Sequence, residues 1–371
     1  MVNDDVKDIF LWAHEHRDEL AWMSQNTNHL SPKEIINEAV KKAIDSKLYE
    51  WYPYSKGLPG LTDLILKDLH LENQNIILTS GGTEALYILT RALLHDGDEV
   101  IASDPSYLII HKFIRLSNAL PVEIPIYNDG WKLSVDKIQK AITSKTKMIL
   151  LIDPLNPLGS SYTKEEVKAI AEIAHDYKLK IINDITYRDF ADEHYLTAWY
   201  YPEGSITVFS VSKNCGLAGM RSGALIASKD LMDTMAKYNT NDLSINILGQ
   251  VAAYAALSRK NEWIGKVKTI TRNNQKIIKN AVEKFEGVFL PVYPSQANMF
   301  VVDVSGAKVN PVEVQKKMLF EHNVFVRAGN YVSDRFGDRF IRVSFSVPEE
   351  HAQRFAHAFD IVMNQLIKKT S

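Results

Sequence analysis

Short apolar runs separated by helical patterns recur through the middle of the chain, and this alternation restricts the possible folds more than any other feature of its 371 residues. Asn75–Leu78, Glu99–Ala102, Lys147–Asp153, Lys180–Ile182, Ile206–Phe209 and Gly223–Ala227 read as buried strands. Between two of them, Thr163-Lys-Glu-Glu166 sets a hydroxyl three residues ahead of a carboxylate. That is a capping box, and it predicts an amphipathic helix running to about Tyr177. Strand and helix in alternation predict an α/β fold, a mostly parallel sheet covered by helices on both faces. Ligands of such sheets collect at the carboxyl ends of the strands, and the chemically notable residues of this chain fall just after the apolar runs.

Composition sets the outer limits. At 46% hydrophobic, the chain can bury a core large enough for one large and one small domain. A formal charge of -2 gives no reason to expect nucleic acid or an anionic membrane as partner. The single cysteine, Cys215, excludes an internal disulfide and fits a reducing compartment. The start, Met1–Asp8, is acidic with no apolar signal run, and stretches such as Met148–Ile152 are too short to span a bilayer. The expectation is a soluble, cytoplasmic protein. No metal is expected, and no repeat or Pro/Gly/Ser-rich linker divides the chain.

Ser210-Val-Ser-Lys-Asn-Cys-Gly-Leu-Ala-Gly-Met-Arg-Ser-Gly223 carries the strongest chemical signal. Lys213 follows the run Ile206–Phe209, where a buried strand spills into a loop. An amine held in a cleft has its pKa lowered by desolvation and by nearby cations, and then forms a Schiff base with an aldehyde. Arg221, the hydroxyls of Ser210 and Ser212, and the backbone of Gly216 and Gly219 are groups that suit a phosphate. Lysine beside a phosphate cradle suggests pyridoxal phosphate. Standing alone, the segment reads equally well as a solvated surface lysine among glycines.

Other segments supply what such a cofactor needs. Ser80-Gly-Gly-Thr-Glu-Ala-Leu86 joins a strand to a helical run, so a glycine pair and a helix start with free N–H groups can approach an anion, or simply make a turn. Asp104-Pro-Ser-Tyr107 brings an aromatic platform after a strand, although the chain has 16 tyrosines. Asp153-Pro-Leu-Asn-Pro-Leu-Gly159 and Asn183-Asp-Ile-Thr-Tyr-Arg-Asp-Phe190 follow two more strands. Phe340-Ile-Arg-Val-Ser-Phe345 places Arg342 on an apolar strand, where an unpaired cation is costly to bury and a carboxylate is a suitable bidentate partner.

In this order, from about Asn26 to about Val347, these segments resemble the pyridoxal-phosphate-dependent aminotransferases of class I/II, the aspartate-aminotransferase-like fold type I. The resemblance implies a large domain over residues 45–280 with a mostly parallel, seven-stranded type of sheet. It also implies a smaller α+β domain from residues 1–44 and 281–371, and a long connecting helix over Asn261–Phe285. It assigns Gly82 and Thr83 to the cofactor phosphate and Tyr107 to the face of the pyridine ring. Asn156 and Tyr187 go to the phenolic oxygen. Asp184 goes to the pyridine nitrogen, where a buried anion keeps that nitrogen protonated and the ring an electron sink. Arg342 is given the substrate α-carboxylate, and Asn156 is counted among the substrate-binding residues as well. The 153–159 loop departs from the family's Asn-Pro-x-Asn-Pro-Thr-Gly at Asp153 and Leu158. Tyr52, or its neighbour Tyr54, corresponds to a tyrosine that reaches the phosphate of a neighbouring subunit, which implies a homodimer.

The implied activity is amino transfer between an L-amino acid, of aspartate/glutamate or aromatic type, and a 2-oxo acid. Lys213 is then Schiff-base former, general base and general acid. Asn26–Pro32, Tyr52-Pro53, Gly216–Gly219 and Val324–Arg327 also resemble the histidinol-phosphate branch, in which an arginine at Arg327 helps hold a substrate phosphate. Arg327–Tyr331 equally resembles the Pro-Gly loop of the general branch. A lyase or decarboxylase can run on the same site. A regulator with a helix-turn-helix domain ahead of the fold is not expected, given the few residues before Asn26.

Overall fold

A computed structural model describes residues 8–370. Its strands in chain order are β1 (Ala21–Trp22), β2 (Asn75–Thr79), β3 (Glu99–Asp104), β4 (Leu120–Pro125), β5 (Thr146–Ile152), β6 (Lys180–Asp184), β7 (Ser205–Ser210), β8 (Gly223–Ala227), β9 (Met299–Asp303), β10 (Val324–Phe325), β11 (Arg327–Ala328) and β12 (Phe340–Ser344). Seven of them form one sheet in the order β2-β8-β7-β6-β5-β3-β4. β8 alone runs against the direction of the other six.

Burial on both faces explains the continuous apolar runs. Side chains alternate along each strand: Ile206 and Val208 of β7, with Leu225 and Ala227 of β8, enter the core shared with Leu86, Ile110 and Ile170. Phe209, Ala224 and Ile226 point the other way, into a core shared with Leu61, Leu69, Ala253 and Trp263. The helix expected after Thr163 spans Lys164–Asp176 and opens with the reciprocal capping box of Thr163 and Glu166. Strand β4 has no counterpart among the apolar runs of the sequence. It lies at the sheet edge, half-buried, and carries Pro121 and Pro125, residues that edge strands tolerate.

The remaining strands draw on the two ends of the chain. β11-β12-β9 form an antiparallel sheet, and β1 pairs in parallel with β10, Ala21 opposite Val324. The connecting helix spans Lys260–Val282 and packs on the helix Glu349–Thr370. The helix Lys33–Asp45, which the expected boundary at residue 44 gives to the smaller unit, packs instead on the helix Ile247–Ser258. Its Ile36 is buried with Leu61 and Ala253 beneath the large sheet.

Candidate active site

A cleft of about 340 Å³ opens beyond the carboxyl ends of β3, β5, β6 and β7, within the usual size of a small-molecule site. Gly82, Thr83, Tyr107, Asn156, Asp184, Tyr187, Ser210, Ser212, Lys213, Arg221, Arg327 and Arg342 all line it. Tyr52 does not: it is 83% exposed, as is most of Tyr54, and neither touches the cleft of its own chain. The cleft also contains Gln25, Asn26, Thr27, Thr186 and Tyr331, to which sequence reasoning gave no role.

One end of the cleft is shaped by missing side chains. Gly81 has φ +81, and a Cβ there would fall 2.5 Å from Arg221 Nη2. Arg221 itself has φ 53 and is held by donating Nη1 to Ala218 O (2.9 Å) and Nη2 to Ser80 O (3.2 Å). Gly223, the first residue of β8, comes so close to this loop that a Cβ would stand 2.8 Å from Gly82 N. The start of the helix Gly82–Leu93, Ser210, Ser212 and Arg221 thus surround one pocket end with N–H, O–H and guanidinium donors.

The middle of the cleft holds the ionisable pair. Lys213 is half-buried and its Nζ donates to Gln25 O at 2.9 Å. Burial, then Arg342 and Arg221, push its amine down to about 7, so a large fraction is neutral near physiological pH. Asp184 ends β6, and its hydrogen bonds, from Thr186 N (3.0 Å) and Oγ1 (2.6 Å), both fall on Oδ1. Burial raises its carboxyl above the ordinary value, so its ionised form calls for a cationic partner in the cleft. Burial raises the Tyr107 hydroxyl above its ordinary value. The Tyr187 hydroxyl accepts a hydrogen bond from Asn26 Nδ2 at 3.0 Å, and burial pushes its pKa up.

Arg342 is almost fully buried, donating Nη1 to Asn156 Oδ1 (2.9 Å) and Nη2 to Ser24 O (2.6 Å), with Nε unpartnered among the described residues. Arg327 lies directly opposite it across the β11–β12 ladder, a like-charge pairing that costs stability unless an anion joins the pair. The Arg327 guanidinium sits 3.1 Å from the Tyr331 ring centroid and 4.6 Å from that of Phe10. Burial and then Arg342 push it down to about 10. Among the described residues no carboxylate lies within ion-pair distance of Lys213, Arg221, Arg327 or Arg342. The lining therefore sets three guanidinium groups and the Lys213 amine against one carboxylate, Asp184.

The residues fit pyridoxal phosphate: a glycine-shaped cradle for its phosphate, a depressed amine for its aldehyde and a buried carboxylate for its ring nitrogen. Fold and site together define an α/β protein whose cleft sets a lysine and three arginines around a space suited to anionic ligands. The chain belongs to the aminotransferase class I and II family, whose profile matches residues 18–359, and is therefore a transaminase of the kind that depends on pyridoxal phosphate. It is 26% identical over 358 residues to the aspartate aminotransferase of Pyrococcus horikoshii, covering 93% of this chain and 90% of that one. It is 29% identical over 347 residues to the histidinol-phosphate aminotransferase of Methanocaldococcus jannaschii, covering 92% and 89%. The crystal structure of the aromatic aminotransferase from Pyrococcus horikoshii superposes with a TM-score of 0.83 at 24% identity, covering 97% and 100%, and shows the same fold.

Proposed function

We propose that this chain binds pyridoxal phosphate at Lys213 and moves an amino group between an L-amino acid, of the aspartate/glutamate or aromatic type, and a 2-oxo acid. The observation that carries this reading is the convergence of a depressed lysine amine, a buried carboxylate and unpaired cations in one cleft. Gly82, Thr83, Ser210, Ser212 and Arg221 would hold the phosphate, Tyr107 would cover the ring, and Asn156 and Tyr187 would meet its phenolic oxygen. Asp184 would face the ring nitrogen as an anion. When bound, the cofactor supplies the electron sink for the charge left as a proton departs from the substrate α-carbon.

Arg342 would grip the substrate α-carboxylate and thereby orient the Cα–H bond. The Lys213 amine, neutral in large part because of its surroundings, would take that proton and return it one atom away. Borohydride reduction of the loaded protein followed by peptide mapping tests the anchor: the pyridoxyl mass belongs on Lys213, and its appearance on another lysine would refute the reading. Half-reactions with single amino acids, followed by the loss of visible absorbance, identify the substrate.

The Arg327–Arg342 pair favours a second reading, a substrate with a distal phosphate as in the histidinol-phosphate branch. We further propose a homodimer in which Tyr52 or Tyr54 completes the partner's phosphate site. The exposed run of Tyr49, Trp51, Tyr52 and Tyr54 supports it, and sedimentation of Tyr52→Ser and Tyr54→Ser variants checks it. The two-domain division, with residues 21–22 joined to the C-terminal unit through the β1–β10 pairing, and a cytoplasmic location in keeping with the lone cysteine belong to the same proposal. Among the described residues no helix is long and apolar enough to cross a membrane.

A further inference from the structure

Asn26 is buried at 2% exposure, and the polarity of its hydrogen bonds follows from a group that cannot be reversed. Its backbone N–H donates to Ser344 Oγ at 2.9 Å. That hydroxyl, acting as acceptor there, still has one proton to place, and Asn26 Oδ1 stands 2.8 Å away to take it. The side-chain amide is thereby oriented with oxygen toward Ser344 and nitrogen toward Tyr187 Oη, at 3.0 Å. The flipped amide would leave the proton of the buried Ser344 hydroxyl with no acceptor among the described residues. An amide nitrogen donates and has no capacity to accept. The Tyr187 proton is thus turned away from Asn26, and the other side of this buried ring borders the cleft.

We infer that Asn26, locked by Ser344, is a positioning residue that compels the Tyr187 hydroxyl to donate into the cleft, toward the oxyanion of a bound cofactor. The inference rests on the cofactor site proposed above. Without the lock, Tyr187 could spend its proton on a neighbouring acceptor and present only lone pairs to the oxyanion, a repulsive arrangement.

The test reverses the amide without changing its shape. Asn26→Asp replaces the donor by an acceptor among cations that keep it ionised, and aspartate tolerates the φ of 55 found here. Asn26→Ala removes the side chain but leaves Tyr187 free to donate into the cleft. In protein loaded with pyridoxal phosphate, Asn26→Asp should raise the pH midpoint of the visible absorption by about one unit, the worth of one hydrogen bond. Asn26→Ala should move it far less, and Asn26→Asp in a Tyr187→Phe background should add only the smaller through-space effect of the new carboxylate, clearly less than it adds to the parent. A role in packing alone would give the reverse order, Ala worse than the isosteric Asp, and that order or a shift of undiminished size without the Tyr187 hydroxyl would overturn the inference. Tyrosine labelled with ¹³C at Cζ supplies an arm free of cofactor. In the apoprotein the Tyr187 signal, identified by its loss in Tyr187→Phe, should move downfield in Asn26→Asp and hold its place in Asn26→Ala. An unmoved signal in Asn26→Asp would overturn the inference too, whereas failure of the parent protein to develop any visible band would count against the cofactor site and leave this arm to decide on Asn26.

Discussion

Two clusters of charge adjoin at the ends of β6 and β7 and obey opposite rules. Behind the lysine loop, Asp68, Asp189, Arg188 and Lys260 close on one another: Lys260 Nζ lies 2.6 Å from Asp189 and 3.0 Å from Asp68, and Arg188 bonds Asp68. Asn214, next to Lys213, donates to Asp189 at 2.5 Å. Burial alone would push the Asp189 carboxyl up, but Arg188 and Lys260 hold it well below the usual range. In front of the loop, Lys213, Arg221, Arg327 and Arg342 face a single carboxylate. Balanced charge holds a fold together, while unbalanced charge in a cleft awaits a ligand that completes it. Substitutions in the front cluster should therefore change chemistry, and those in the rear cluster stability.

The largest effect is expected at Lys213. Lys213→Ala should reduce amino transfer by about ten-thousandfold or more in steady-state assays, while pyridoxal phosphate still binds without a covalent link. The same variant has a pH signature. The Lys213 amine is lowered in the fold from 10.5 to about 7, so across that interval the unfolded chain binds more protons and this group makes apoprotein stability rise with pH. Urea midpoints recorded through that range should show a shallower rise in Lys213→Ala. Asp184→Asn should follow, with turnover down about a thousandfold, roughly 4 kcal/mol in activation free energy. Because burial raises the Asp184 carboxyl, its ionised form strains the apoprotein at neutral pH. The apo variant should unfold at the same or higher denaturant concentration than its parent.

The rear cluster supplies the contrast. Lys260→Met leaves Asp189 with Arg188 as its one cation, and should cost about 3 kcal/mol in denaturant unfolding. Turnover per folded, cofactor-loaded molecule should stay near that of the parent; a thousandfold fall there would erase the distinction between the two clusters. Arg342→Lys keeps the charge and loses the planar fork, so every amino acid substrate should lose about 1.5 to 3 kcal/mol in kcat/KM. The smallest and most selective change belongs to Arg327→Met, which should weaken substrates with a distal carboxylate or phosphate and spare neutral ones. Equal losses for all substrates in both arginine variants would show that the two share one role.

Much of the site was legible because its residues follow strands in a fixed order. Asp184, Ser210 and Lys213 each come at the end of an apolar run or just past it, and sheet geometry brings such positions together. Arg342 was legible for a different reason, as a cation on an apolar strand. Tyr331 and Asn26 gave no comparable signal. Tyr331 is one of 16 tyrosines, and its role comes from stacking on Arg327. Asn26 stood out only as part of a branch-like segment, and its contact with Tyr187 spans 161 residues. The edge strand β4 and the reversed direction of β8 were equally silent, since edge burial and strand polarity depend on neighbours.

The layered α/β class, the helix cap at Thr163 and the succession of chemical groups are written along the chain, because hydrophobic period, capping and turn chemistry act over a few residues. Which cations find partners and which do not, how the segment Ser24–Asn28 reaches Arg342, Lys213, Tyr187 and Asn214, and which way the Asn26 amide points are settled by the folded arrangement. Those outcomes depend on distances of a few ångströms between residues far apart in the chain, where charge, desolvation and hydrogen-bond direction are strongest and local sequence has no hold.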